Sequence, residues 1–474
     1  MRTAAIVLAA GAASRFGSPK ALARLDGRPI LEHVLDAVRS AGIEDIVVVL
    51  GHAAQEIEDG IDWLDERRVR NPDPRFLSGS LQVGLAAVAD LDPPVRGVVI
   101  ALGDQPRTRP EVIRALIGAA RETDRPVVVP RYAEGGGANP VLLRRSAFEL
   151  VDEASGDRGL GPLLASDPEL VLEVPVAGSN PDIDRPSDLL ELAWAERVRA
   201  NREQVDRFRE VPDGTDFYRP VTTLFRADPA RSDDAVLDAL LALARPDDVW
   251  LDVGAGAGRY ALPLARAVRE VVAIDPSAGM LETLRELMAE HGITNVRPIE
   301  ARWPIPRPES GGGGGEPLAG DVALIAHVGY DIEAIGPFLD ALEAAAARLC
   351  VAVMMERQPA SVVDPFWPRV HGETRVSLPA LPEFVELLRS RGGTPTVTMT
   401  ERVPRRFDGR EELEGFLRRQ LWIAEGGEKE GRFRAALDEL AVQAPDGTWG
   451  LADQASSAVG VVSWQPRDGG DQER

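Results

Sequence analysis

Cysteine is nearly absent: Cys350 stands alone in 474 residues. One thiol excludes an intramolecular disulfide and any cysteine-based zinc site. Positive charge is in deficit, with 54 lysines and arginines against 76 aspartates and glutamates and a net charge of −22. That balance argues against non-specific binding to nucleic acid or to anionic membranes, which needs basic patches; a local basic pocket stays open. Long hydrophobic runs are missing as well, and no window reaches the length of a membrane span. The N-terminal apolar run is short and lacks the charged start and cleavage site of a secretory signal, so a cytoplasmic protein is expected. What is present, 44% hydrophobic residues, suffices for a sizeable core. The length suggests two or three domains.

The chain is organised around LAAGAASRFGSPKALARL, residues 8 to 25. The apolar run Ala4 to Ala9 reads as a buried strand. It ends in Leu8, Ala9, Ala10 and Gly11, small enough at the turn for the backbone to approach a ligand. Successive backbone N–H groups in such a turn form an anion-binding concavity. Arg15 and Lys20 follow, with Gly17 and Pro19 between them. A guanidinium fork and an ammonium point charge both suit phosphate oxygens. Read from the residues alone, the stretch is equally an ordinary strand-to-helix loop. The whole string, however, resembles the start of the nucleotidyltransferases related to molybdenum-cofactor cytidylyl- and guanylyltransferases. These begin with a strand, then L-A-A-G, S-x-R-x-G and a lysine. That resemblance implies a triphosphate cradle.

Residues 29 to 41, Ile46 to Leu50 and 53 to 64 then read as helix, strand and helix. Such alternation implies a parallel sheet with right-handed crossovers. Ser78, Gly79 and Ser80 precede the helical run Leu81, Leu85, Val88, where serine serves as a cap. The same stretch resembles the family's asparagine followed by G-x-x-S-L-x-x-G, which implies that Ser78 and Ser80 lie against the nucleotide. Asp104 follows the strand Val98 to Leu102, at the sheet edge where open α/β sheets bind ligands. It is either a turn aspartate or a carboxylate for Mg²⁺. GDQP resembles the family's metal-binding G-D-x-P, which implies the second. The later stretches GGGANPVLLRRSAF, SGDRGLGPLL and DIDRPSDL resemble the family's remaining motifs. From them Asp184, ahead of Asp182, is expected to complete the metal shell opposite Asp104, and Asp188 to cap the last helix. The chain has Asn139-Pro140 where the family often carries a histidine before the proline, which leaves the acceptor open. The implied chemistry is nucleotidyl transfer from an NTP, with CTP favoured over GTP. Arg15, Lys20 and Mg²⁺ at Asp104 would neutralise phosphate charge, and the acceptor would be a molybdopterin-type phosphate.

A second glycine loop opens the other half, in VWLDVGAGAGRYALPLA. Asp252 lies near the end of a strand, and Gly254, Gly256 and Gly258 form G-x-G-x-G. A second strand ends in Asp275, placed to accept hydrogen bonds from ribose hydroxyls. With VVAIDPSAGMLETLRELM, these residues resemble class I S-adenosylmethionine methyltransferases over most of residues 230 to 360. The resemblance implies an S-adenosylmethionine pocket at Asp252, the three glycines and Asp275. Arg302, with Ala301 before it, stands where that family often carries an acid for the adenine. His327 and Tyr330 are expected at the acceptor edge, while Trp367, Trp422 and Trp464 are expected in the core.

The expected architecture is therefore α/β, with two Rossmann-like three-layer domains. A nucleotidyltransferase sheet in residues 1–198 precedes a class I methyltransferase sheet in residues 199–474. Small-molecule substrates are expected, with neither nucleic acid nor membrane as partner. Two further readings stay open: a methyltransferase with a nucleotide-sensing first domain, and a non-catalytic scaffold with two pockets.

Overall fold

The computed structural model describes residues 1–11, 16–152, 156, 160–212, 226–232, 234–305, 318–402, 404–452 and 457–467. Arg15 lies outside the described residues, as do most of the SGDRG stretch and the five-glycine run. Two compact units divide between Leu189 and Leu190.

The first unit is a seven-stranded sheet flanked by helices. Its strands are β1 (Thr3–Ala9), β2 (Ile46–Leu50), β3 (Arg67–Arg70), β4 (Gly97–Leu102), β5 (Val127–Tyr132), β6 (Val141–Arg144) and β7 (Val171–Val176). They lie in the order β3-β2-β1-β4-β6-β5-β7. The central pairs are parallel and β6 runs antiparallel to both its neighbours. Along β1, Ala5 and Val7 join the core on one face of the sheet, while Ala4, Ile6 and Leu8 join the core on the other. A strand buried on both faces needs a continuous apolar run, which is what β1, β2 and β4 have.

Helix α1 (Ile30–Ser40) follows Pro29 and ends before Gly42, whose φ of +85° suits glycine. Helix α2 spans Ala54–Gly60, shorter than the expected 53 to 64, because the chain is already extended at Ile61. Helix α3 (Leu77–Ala89) begins earlier than expected. Ser78 and Ser80 thus lie inside its first turns and do not cap it; the cap position is Phe76, with no side-chain bond.

The second unit is another seven-stranded sheet. Its strands are β8 (Val249–Val253), β9 (Glu270–Asp275), β10 (Val296–Glu300), β11 (Gly320–Ala326), β12 (Ala346–Met355), β13 (Thr396–Arg402) and β14 (Ser457–Trp464). The order is β10-β9-β8-β11-β12-β14-β13. Strand β14 runs antiparallel to β12 and to β13, and the other pairs are parallel. The expected antiparallel closing pair is therefore present. Trp464 and Trp367 are buried at 2% and 0% exposure, and Trp422 is partly buried. A further cluster around Phe366, Trp367, Leu417, Phe433 and Leu437 packs helical segments that no sequence motif marked.

Helix α5 is preceded by α4 (Pro110–Glu122) and spans Pro186–Phe208. The expected boundary, near residue 200 within about ten residues, stands beside a division of the contacts between Leu189 and Leu190. Trp194 and Val198 are core residues of the second unit, and the indole N–H of Trp194 donates to the Ile332 carbonyl at 3.0 Å. Asp188 caps this helix from its third position, reaching back to the residue before it. Its carboxylate accepts the N–H groups of Asp184 and Arg185, at 2.7 and 2.8 Å, and so pulls the preceding loop onto the first turn.

Candidate functional sites

In the first unit the carboxyl ends of β1 and β4 set the site. Glycines allow two close backbone approaches there. The Gly103 N–H donates to the Leu8 carbonyl at 2.9 Å, and a Cβ at Gly103 would stand 3.0 Å from that oxygen. A Cβ at Gly51, just after β2, would stand 2.5 Å from the Ala10 carbonyl oxygen. Lys20 sits on a single helical turn, Lys20–Leu22.

Its ammonium lies 2.7 Å from Oδ2 of Asp104 and 2.9 Å from Oδ1 of Asp184. Burial pulls the Lys20 pKa down, but the two carboxylates outweigh it and hold the group above its ordinary value. A polar chain fixes the loop that brings Asp184 in. Asn180 donates to Gln105 Oε1 at 3.0 Å, Gln105 donates to Asp182 at 2.7 Å, and the Ile183 N–H donates to the Asp104 carbonyl at 3.0 Å. Asp182 is thus spent on Gln105, and burial first, then the charge of Asp104, raises its pKa.

Lys20, Asp104 and Asp184 line a pocket of about 700 Å³ with Leu8, Ala9, Gly11 and Gly17. Ala10, Ser78 and Ser80 are not among its lining residues. The hydroxyl of Ser80 accepts from Asn71 at 3.0 Å, and both serines are buried. Sequence reasoning missed Gly51, His52, Glu56 and Gln105. Only the glycine directly after a strand offered a signal. A second signal went unread: Lys20 is one of two lysines, with Lys429, among the 54 basic residues. A chain that writes nearly every positive charge as arginine keeps a compact ammonium here.

In the second unit the glycine loop follows β8. Gly254 has φ +79°, and a Cβ there would stand 2.4 Å from Cγ2 of Val328. Gly258 has φ +84°, and its Cβ would meet Leu284 at 2.4 Å. Asp275 grips the loop itself, accepting the N–H of Gly256 at 2.8 Å and that of Ser277 at 2.8 Å. Asp252 is 2% exposed, and burial, then the charge of Asp275, pushes its carboxyl up to about 7. Arg302 is exposed. Tyr330 follows the carboxyl end of β11, and its buried hydroxyl accepts the N–H of Met355, the last residue of β12, at 2.7 Å. His327 takes a left-handed φ of +59°, with its ring 6.4 Å from that of Tyr260.

Family models match two stretches. Residues 5–171 match the MobA-like NTP transferase domain and residues 251–305 a methyltransferase domain. The chain carries one domain of each kind. Over the NTP transferase domain it is 42% identical across 123 residues to the bifunctional protein GlmU of Paracidovorax citrulli, covering 24% of each chain. GlmU of Cellvibrio japonicus is 26% identical over 259 residues, 51% of this chain and 55% of that one. The chain thus spans between about a quarter and half the length of these curated relatives. Among solved structures, Rv0371c of Mycobacterium tuberculosis is 31% identical, covering 39% of this chain and 93% of that one at a TM-score of 0.35. YcgJ of Bacillus subtilis is 15% identical, covering 49% and 98% at a TM-score of 0.34.

Proposed function

We propose that the chain is a bifunctional transferase. The first unit moves a nucleotidyl group from an NTP, CTP by preference, to a phosphorylated acceptor such as a molybdopterin. The second unit moves a methyl group from S-adenosylmethionine to a small-molecule acceptor. The observation that carries the first half is the Lys20 ammonium held between Asp104 and Asp184 inside the pocket.

The two carboxylates suit a divalent cation, and Asp104 and Asp184 would hold Mg²⁺. Oδ1 of Asp104 is buried without a hydrogen-bond partner, and the gap between the carboxylates already accepts a cation, the ammonium. Among the described residues no group of three or more His, Cys, Asp or Glu is arranged to hold a metal. That fits Mg²⁺, which takes one or two carboxylates and fills its shell with phosphate oxygens and water. When bound, it would offset phosphate charge. An acceptor oxygen bonds to the α-phosphorus while the bond to the bridging oxygen of the β-phosphate breaks, and pyrophosphate leaves with that electron pair. Lys20 holds phosphate oxygens, and the Ala9–Gly11 turn supplies backbone donors. No protein nucleophile is needed; the work is positioning and charge neutralisation.

In the second unit, Gly254, Gly256 and Gly258 would give the methyl donor a close backbone approach, and Asp275, at the end of β9 against the glycine loop, would take the ribose hydroxyls. The test is pyrophosphate release over CTP, GTP, ATP and UTP with Mg²⁺ and a molybdopterin-type acceptor. Lys20→Ala and Asp104→Ala should each lower release at least about a hundredfold, as expected for preorganised charge groups. Release unaffected by both would overturn the assignment. Calorimetry with S-adenosylmethionine tests the second site, and Asp275→Ala should abolish binding.

A further inference from the structure

The pocket of the first unit has a second wall that the reading above leaves unused. His52, Ala53, Glu56 and Ile57 line the pocket together with Gly17, Ser18, Pro19 and Lys20. The wall is tied to the signature turn. Gly51 lies so close beneath Ala10 that a Cβ would overlap its carbonyl, and the His52 N–H donates to that same oxygen at 3.4 Å. Ala53 makes the corner with φ +54°. The His52 and Glu56 side chains are exposed at the pocket's margin.

We propose that His52 is a binding residue for the terminal phosphates of the nucleotide, the part that departs as pyrophosphate. The inference rests on the nucleotidyl-transfer reading of this unit. Charge carries it first. Among the described lining residues, Lys20 is the sole lysine or arginine, against the carboxylates of Asp104, Asp184 and Glu56. Two of those carboxylates already hold Lys20. With Lys20 and the Ser18 hydroxyl, His52 is the described lining side chain able to donate a hydrogen bond to phosphate.

Position carries it second. The reacting α-phosphorus belongs where Lys20, Asp104 and Asp184 meet. The rest of the polyphosphate would follow the turn at Gly17–Pro19, and His52 lines the same pocket as that turn, whereas Ser78 and Ser80 do not. Glu56, a like charge on the same wall, repels the same phosphates and keeps the product from being held too tightly.

The two side chains therefore have opposite effects. The experiment is calorimetry on the full chain in Mg²⁺ with inorganic pyrophosphate, CTP and CMP. His52→Ala should weaken pyrophosphate and CTP by about tenfold, the loss of one charge-assisted hydrogen bond, and leave CMP within about twofold. His52→Gln, which keeps a donor, should recover part of that loss. Glu56→Gln should tighten pyrophosphate. The inference is overturned if His52→Ala leaves pyrophosphate unchanged, if it weakens CMP as much as CTP, or if Glu56→Gln weakens pyrophosphate. A wild-type chain that binds neither CTP nor CMP would remove the nucleotidyl-transfer reading instead, and that result is separate from any effect of His52. Both side chains are exposed, so the substitutions should keep the fold, which the thermal transition verifies.

Discussion

Asp252 should make the second unit less stable as pH rises. Its carboxyl is 2% exposed; burial, then the charge of Asp275, moves it from 3.8 to about 7. Folding thus favours the protonated acid. Between those two values the folded chain holds a proton that the unfolded chain has released. Stability therefore falls as pH rises through that window and levels off above it. At 1.36 kcal/mol for each pH unit, the interval corresponds to roughly 4 kcal/mol. Sharing of the interaction with Asp275 makes that an upper figure. Asparagine imitates the neutral acid, so Asp252→Asn should match the wild type at about pH 4 and exceed it by a few kcal/mol at about pH 8. Urea unfolding followed by tryptophan fluorescence reads this unit well, because every tryptophan except Trp63 lies beyond Leu190. A difference between variant and wild type that stays constant across the range would refute the reasoning.

Gly51→Ala should destabilise the first unit by about 1–3 kcal/mol, because its Cβ would stand 2.5 Å from the Ala10 oxygen and 2.6 Å from the Pro74 Cβ; an unmoved thermal transition would contradict this. Gly254→Ala should abolish S-adenosylmethionine binding by calorimetry, and adding Val328→Ala should restore only part, since the clash is relieved while the φ of +79° stays strained. His371 is held neutral by burial, then by the charge of Lys429, which together lower its pKa to about 4, with Arg432 adding to and Glu210 opposing the effect. The unfolded chain binds this proton first, so stability is lost as pH falls from 6.5 through about 4, and His371→Gln should flatten that limb of the same urea series.

Two kinds of feature were legible in the sequence. The buried strands were, because a sheet covered on both faces demands unbroken apolar runs such as Ile46–Leu50 and Val98–Leu102. The phosphate turn and the glycine loop were too, because close backbone approach must be written in consecutive small residues. The helix starts were less so. Ser78 and Ser80 look like caps, yet Asn71 bonds Ser80 and the helix begins at Leu77, a contact between residues nine apart that no local rule contains. No local signal fixes the boundary within α5, which is charged along its length; only the fold shows that Trp194 belongs to the second core. The burial of Tyr330 was not legible, because its partner, the Met355 N–H, lies on the neighbouring strand.

Lys20 shows how the two levels of reading depend on each other. Its identity is local, fixed by the signature, but its state is set by two carboxylates 84 and 164 residues away. Those carboxylates arrive by different routes: Asp104 from the end of a central strand, Asp184 from a loop pinned by Asp188, Gln105 and Asn180. An arginine would meet one carboxylate as a planar fork, whereas an ammonium can bridge two and then turn to a phosphate. The near-exclusive use of arginine elsewhere in the chain therefore gives this lysine its meaning. Composition alone would have treated it as one more positive charge in an acidic protein, and geometry alone would have drawn an ion pair. Together they describe a cation held ready where the phosphates of a nucleotide would enter.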